Sequence, residues 1–291
     1  MPARQPFTAL CRSLAQDRST GWIDLHVHST ASDGLYTPAQ VVDLARRSGL
    51  AGVALTDHDT VEGIPAACAA ARQWSLEIIP GVEITAEHRG REMHLLAYFI
   101  RLDDEPLAAA LARIRQHRVE RFWAMVERLR ACGVALDQQE IEDLAAEGTL
   151  GRRRLAEYLV RIRKAATMHE AFRRYLGDRE RACVPKMCLP AEEALALVRG
   201  AGGVAAWAHP SYDCNREVLG ELKNLGLEAL EVHYPRHRST RTRELLALAD
   251  EFDLAITGGS DCHGPGLTRR AIGACGVSRA ELEALRQRAG G

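Results

Sequence analysis

The sequence predicts an α/β fold, a closed or nearly closed β/α barrel interrupted by a helical insertion. Three observations predict it. Short apolar, β-branched runs recur along the chain, and helical patterns separate most of them. One long central stretch, residues 102–190, keeps helical periodicity and contains no run of comparable β character.

The first strand is Ile23-Asp-Leu-His-Val27, followed by a helix over Pro38–Ser48 with Val41, Val42 and Ala45 as its apolar face and Gly49 as its stop. Gly52–Thr56 is the second strand, Ile64–Trp74 the next helix and Ile78–Val82 the third strand. Only eight residues separate Ile84 from the fourth strand, Met93–Phe99, too few for a crossover helix. Arg89-Gly90 between them predicts a hairpin turn. The insertion reads as helices over Glu105–Cys132, Gln138–Ala146, Arg152–Lys164 and Met168–Leu176, expected to stand over the barrel mouth. Ala191–Arg199 resumes the barrel as a helix. Strands follow at Gly203–Trp207, Ala229–Val232 and Leu254–Thr257, with a helix over Ser239–Phe252 before the last. The expected organisation is a barrel of residues 21–101 plus 191–291, a helical cap of residues 102–190 and an N-terminal extension of residues 1–20.

Composition narrows the class of protein. The 291 residues suffice for one large α/β domain or two small ones. Lys+Arg 38 against Asp+Glu 39 gives a net charge of −1, which argues against a generally basic, duplex-coating protein and leaves a local basic patch open. No apolar run approaches the ~18 residues of a membrane span. Residues 1–20 lack the continuous apolar core of a signal peptide. The eight Cys are scattered with no CxxC pair, which points to a reduced, cytoplasmic compartment.

The histidines carry the chemistry. His26 and His28 lie two apart on the first strand, so strict alternation points both to one face with Asp24 and turns Ile23, Leu25 and Val27 to the helices. Such a pair can grip one ion with two imidazoles; alone it equally describes two hydrogen-bonded His in a polar strand end. The pattern then recurs at other strand ends. Thr56-Asp-His-Asp59 follows the second strand, Glu83 the third, and His94 lies on the fourth. Ala208-His-Pro210 follows the fifth, and Ser260-Asp-Cys-His263 the last; Asp33 comes just after the first. Six His and three carboxylates at the C-terminal rim of one barrel are what a multinuclear metal site requires.

The strings Asp-Leu-His-Val-His-Ser, Thr-Asp-His-Asp, Gly-Val-Glu, Ala-His-Pro and Gly-Gly-Ser-Asp-Cys-His resemble, in order, the motifs of the polymerase and histidinol phosphatase (PHP) family. These are metal-dependent phosphoesterases related to the amidohydrolases, and the resemblance spans residues 22–264. It implies a distorted (β/α)7 barrel. It also implies three ion positions: His26, His28, Glu83 and Asp261 for the first, Glu83 with His94 and His209 for the second, and Asp33, His58 and His263 for the third. Glu83, Asp261 and His209 are thereby the catalytic candidates. The donor types suit Mn, Zn or Fe, and the resemblance favours Mn, with two or three ions. Asp57 and Asp59 read as groups that orient ligands, and Cys262 as packing rather than nucleophile, since alternation turns it from Asp261 and His263.

Tyr175-Leu-Gly177, Val184-Pro-Lys186 and the helical insertion look most like a bacterial subgroup that removes the 3′-phosphate of nucleoside 3′,5′-bisphosphates, some members trimming short RNAs. A bisphosphate needs a second anion site. Arg152 and Lys186 match the subgroup's insertion motifs, Arg118 comes next, and Arg154 stands where the subgroup commonly has His. His237, after the sixth strand, is a further candidate; the alternative for each Arg is a solvated helix face. The expected partner is a small phosphorylated nucleotide, with no membrane. Histidinol phosphate hydrolysis, 5′-to-3′ trimming of short RNA and a non-catalytic PHP module are the alternatives. His88, His117, His169 and His233 read as surface or structural, and Trp74, Trp123 and Trp207 as core.

Overall fold

A computed structural model describes residues 21–146, 150–211, 213–265 and 270–289; the N-terminal extension lies outside the described residues. Two compact units emerge. One takes the described chain up to Ala108 and again from Pro190, the other Ala109–Leu189.

The first unit is the barrel. Its strands are β1 (Ile23–Val27), β2 (Gly52–Leu55), β3 (Glu77–His88), β4 (Arg91–Tyr98), β6 (Val204–Trp207), β7 (Ala229–His233) and β8 (Ala255–Gly258), hydrogen-bonded in that order; the two-residue β5 (Leu189–Pro190) lies off this path. The β1–β2, β2–β3, β6–β7 and β7–β8 pairs are parallel, whereas β4 runs antiparallel to both its neighbours. This is the distortion of the barrel. It follows from the two-residue turn, where Arg89 and Gly90 both take positive φ (53° and 71°), as a hairpin of matching twist requires. Past β8 the chain bonds back to β1, Asp261 N–H to the His26 carbonyl at 2.8 Å and His28 N–H to the Cys262 carbonyl at 3.0 Å, and this nearly closes the barrel.

Packing follows the sequence pattern with two departures. Helix α1 (Pro38–Arg47) starts at a Thr37–Gln40 capping box with Pro38 in its first turn. With α2 (Ile64–Ala71) it covers Val27, Val53 and Leu55. Ala54, Ile79, Leu96, Tyr98 and Ala206 form the interior cluster. Leu25 belongs to that interior and Val27 to the helix layer, so they do not share a face as strict alternation required. The cause is a register slip between Asp24 and Val27. It lets Asp24 accept from the Ser260 and Gly273 amides while His26 and His28 turn together elsewhere. The second departure is Trp74, which is 44% exposed under the Arg46 guanidinium rather than core.

Two barrel helices lie outside the sequence expectations, α8 (Arg216–Asn224) and α10 (Arg279–Arg286). The second is fixed by a Ser278–Glu281 capping box and packs Leu282 and Leu285 against Ile23 and Val277. Helices α7 (Ala191–Gly200) and α9 (Ser239–Glu251) lie close to those expected. The second unit carries α3 (Glu105–Ala131, beginning in the first unit), α4 (Gln138–Ala146), α5 (Arg152–Arg161) and α6 (Met168–Ala171), which continues as a π-helical turn over Phe172–Leu176. Its own core gathers Phe122, Met125, Leu129, Ile141, Leu155, Tyr158, Leu159 and Leu176. Among the described residues no helix is long and apolar enough to cross a membrane.

Candidate metal centre

The C-terminal ends of the barrel strands converge on Glu83, a carboxylate almost wholly buried. It does not end its strand, as the sequence suggested. β2 stops opposite Pro80, and β3 runs on to His88 as the partner of β4. Glu83 therefore sits just past the parallel stretch, with its amide on the Asp57 carbonyl and its carbonyl on the Asp59 amide. Its Oε2 faces His58 Nδ1 at 3.1 Å, His28 Nε2 at 3.2 Å and His26 Nε2 at 3.3 Å. Its Oε1 faces His94 Nδ1 and His209 Nε2, each at 2.9 Å. One carboxylate thus meets five imidazoles.

The remaining expected ligands flank this hub. Asp261 Oδ1 lies 3.4 Å from His28 Nε2, 3.7 Å from His26 Nε2 and 3.2 Å from His263 Nδ1. Asp33 approaches His263 Nε2 at 3.3 Å, and His28 Nδ1 and His58 Nε2 at 3.9 Å each. Three sets have ligand atoms close enough to share an ion: His26, His28 and Glu83; His58, Glu83 and His94; and His28, Asp33, His58 and His263. All nine sequence-expected ligands are brought together. His28, His58 and Glu83 each belong to two of the sets.

Charge accounts for the arrangement. Burial works against the Glu83 anion, yet His58, His94 and His26 hold it well below the usual carboxylate range. Asp33, opposed by burial but drawn by His263, His58 and His28, is also held low. Asp261, opposed by burial, is held low by His26 and His28. Against the penalty of burial, Glu231, Glu83 and Asp261 push His26 well up; Asp261 and Glu83 push His28 up to about 10. Carboxylates that hold protons on these imidazoles would hold a cation in their place. Two further observations fit an ion. The Nε2 atoms of His26 and His28 sit 3.1 Å apart, both facing one carboxylate oxygen, and His28 Nδ1 is buried with no hydrogen-bond partner among the described residues.

The backbone is bent to serve the cluster. Asp59, His209 and Asp261 have φ of 54°, 31° and 52°, and non-glycine residues occupy that region only where the surroundings impose it. Asp59 holds Thr85 through both its amide and hydroxyl, and Asp57 holds Ser29 and Ser32, which fixes backbone near the ligands. Gly259 packs against β1 so closely that a Cβ there would lie 2.3 Å from both Cβ and N of His26. Gly259→Ala is therefore expected to cost about 1–3 kcal/mol of stability and to displace His26, with denaturant unfolding and metal content as the checks. Cys262 is buried among Val27, Val41 and Ile272, in agreement with a packing role.

Sequence reasoning missed three groups here. Glu231 on β7 accepts from His26 Nδ1 at 2.9 Å and from the His209 amide at 2.5 Å. Its signal was a lone acid in the apolar run Ala229–Val232. Tyr234 donates its hydroxyl to Asp261 Oδ2 at 2.8 Å, and Arg270 reaches the same oxygen at 2.5 Å. His237 lies beside Tyr234, ring centroids 5.1 Å apart, with Nδ1 donating to the Val232 carbonyl at 3.0 Å; burial lowers its pKa.

The Arg and Lys candidates belong to the second unit. Arg152 pairs with Asp178 and points another contact at the Leu176 carbonyl (3.4 Å). Arg154 donates to the Leu144 carbonyl at 3.1 Å, while Lys186 and Arg118 are half-buried. Of the His read as structural, His88 pairs with Glu221 at 2.8 Å, and His233 lies 3.6 Å from Glu281.

If Asp33, His58 and His263 form one ion position, Asp33→Ala should empty that position and leave the His26/His28 pair loaded. Anomalous diffraction from manganese-loaded crystals distinguishes this from three full positions, which would reject the set.

Comparison with known proteins agrees with this geometry. The PHP domain model matches residues 24–146. A 5′-3′ exoribonuclease of Haemophilus influenzae is 33% identical over 83% of this chain and 90% of its own length. A 3′,5′-nucleoside bisphosphate phosphatase of Chromobacterium violaceum is 32% identical over 86% of this chain and 90% of its own. A Bifidobacterium adolescentis structure, assigned as a metal-dependent phosphoesterase, superposes with a TM-score of 0.81 at 31% identity and covers 93% of this chain and 97% of its own.

Proposed function

Because the chain belongs to the PHP family of metal-dependent phosphoesterases, we propose that it removes the 3′-phosphate of nucleoside 3′,5′-bisphosphates, giving a nucleoside 5′-monophosphate and phosphate. The observation that carries the reading is Glu83, whose two oxygens gather five imidazoles between Asp33 and Asp261. Support for the nucleotide substrate comes from the likeness to the Chromobacterium bisphosphate phosphatase along most of both chains.

His26, His28, Glu83 and Asp261 would hold one divalent cation, Glu83, His94 and His209 a second, and Asp33, His58 and His263 a third, manganese being the proposed metal. Bound there, such cations supply Lewis acidity toward water and toward the phosphoryl oxygens. The chain's own residues do the rest. Glu83 spaces the two sides of the cluster. Asp261, its Oδ2 fixed by Tyr234 and Arg270, turns Oδ1 toward His26 and His28, where it would complete the donor set of the first ion. Water attacks phosphorus in line as the P–O3′ bond breaks, a proton of the water ends on the departing O3′ so that it leaves as a hydroxyl, and no side chain is phosphorylated. Arg152 and Lys186 are the proposed holders of the second phosphate, through charge-assisted hydrogen bonds.

A second reading, 5′-to-3′ trimming of short RNA at the same centre, is favoured by the likeness to the Haemophilus exoribonuclease. Product release from manganese-loaded protein decides between them. The panel is 3′,5′-adenosine bisphosphate, AMP, histidinol phosphate and a short 5′-phosphorylated RNA. Fastest turnover of the bisphosphate supports the first reading. Mononucleotides from RNA without bisphosphate turnover support the second, and inactivity on both overturns the two together.

A further inference from the structure

We infer that Glu231 is the positioning carboxylate of the metal centre, setting the ligating nitrogen of His26 and the backbone of His209 and so tying two ion positions together. The inference rests on the reading of the cluster as a metal centre and is independent of which ester is cleaved.

Glu231 lies in the middle of β7 with no exposed surface. A carboxylate there is costly unless its hydrogen bonds are made, and both oxygens are engaged. Oε1 meets His26 Nδ1 at 2.9 Å and Oε2 meets the His209 amide at 2.5 Å. An ionised carboxylate only accepts, so the His26 proton is placed on Nδ1. That leaves Nε2, 3.3 Å from Glu83 Oε2 and 3.1 Å from His28 Nε2, as the nitrogen whose lone pair would face an ion.

The other arm acts on the main chain. His209 follows β6 in the left-handed region, with φ 31°. Its amide hydrogen bond to Glu231 holds that conformation, and the ring then reaches Glu83 Oε1 at 2.9 Å. One buried side chain therefore sets imidazoles on opposite oxygens of Glu83, His26 on one and His209 on the other. Asp57 and Asp59, also buried at the site, hold serine and threonine groups instead. Glu231 contacts His26 and His209, whereas Asp33, His58 and His263 meet one another, so the third position provides an internal control.

Glu231→Gln keeps the shape but can accept at only one end. Its NH2 either opposes the His209 amide or turns the His26 proton onto Nε2. Outer groups of this kind commonly contribute about ten- to a hundredfold in metal affinity. With metal-stripped protein and Mn(II) alone, site occupancies from anomalous diffraction at graded manganese should show that loss at the His26/His28 and His94/His209 positions. The Asp33/His58/His263 position should be unchanged. Unaltered occupancy, or equal weakening of all three, overturns the inference, because a purely structural role would spare none of them. Should the variant fail to fold, 15N NMR of zinc-loaded wild-type protein decides: the His26 proton on Nδ1 supports the inference and a proton on Nε2 overturns it. Wild-type protein that takes up no ion would instead remove the metal-centre reading itself.

Discussion

Glu83→Gln is expected to abolish turnover almost completely and to reduce ion binding at two positions together. Both Glu83 oxygens face imidazoles, three on one side and two on the other, so this one carboxylate joins the two halves of the cluster. An amide offers one neutral acceptor where the carboxylate offers two charged ones. Transition-state charge stabilisation by bound ions amounts to several kcal/mol, so the loss should be about a thousandfold or more in rate. Metal analysis and phosphate release on the same preparation check both parts. Full stoichiometry with near wild-type release would refute the shared-carboxylate role.

The next largest effect concerns specificity. Arg152→Ala and Lys186→Ala should each lower kcat/KM for 3′,5′-adenosine bisphosphate and hardly change turnover of p-nitrophenyl phosphate, which lacks a second phosphate. A hydrogen bond to a charged group is worth about 1.5–3 kcal/mol, or roughly ten- to a hundredfold. Binding of the remote phosphate orients the reacting one, so kcat and KM should both suffer. Arg152 spends part of its guanidinium on Asp178, but five N–H donors leave room for a phosphate. Equal losses on the two substrates would assign these side chains to the fold. No loss on either would return them to solvated helix faces and turn attention to Arg118, Arg154 and His237.

The ligands were legible because their residue types stand out in or beside short apolar runs, a signal that survives folding even where Glu83 and His94 lie within β3 and β4 rather than at a strand end. His26 and His28, Asp261 and His263, and the isolated Glu83 all carried that signal. Alternation failed for Asp24 because a one-residue slip in β1 has no sequence marker as clear as a glycine or proline. The sequence sets Glu83 at a strand end because the apolar run stops at Val82, while the ladder to β4 carries β3 on to His88. Glu231 was hidden by its own setting, since one acid among apolar strand residues names no partner until the strands close. Tyr234 and Arg270 meet Asp261 from separate loops, a contact that only the fold creates. Trp74 shows the opposite error, an aromatic in a helical pattern read as core whereas the Arg46 guanidinium, not the interior, covers its ring.

The central claim is that this cluster, loaded with divalent ions, cleaves a nucleoside 3′-phosphate. The most direct measurement is product analysis of 3′,5′-adenosine bisphosphate incubated with metal-stripped protein, before and after manganese is restored. The account predicts no turnover by the stripped protein and, once manganese is restored, one phosphate released per AMP formed. Equal turnover in both states, or adenosine 3′-phosphate as the product, would contradict it.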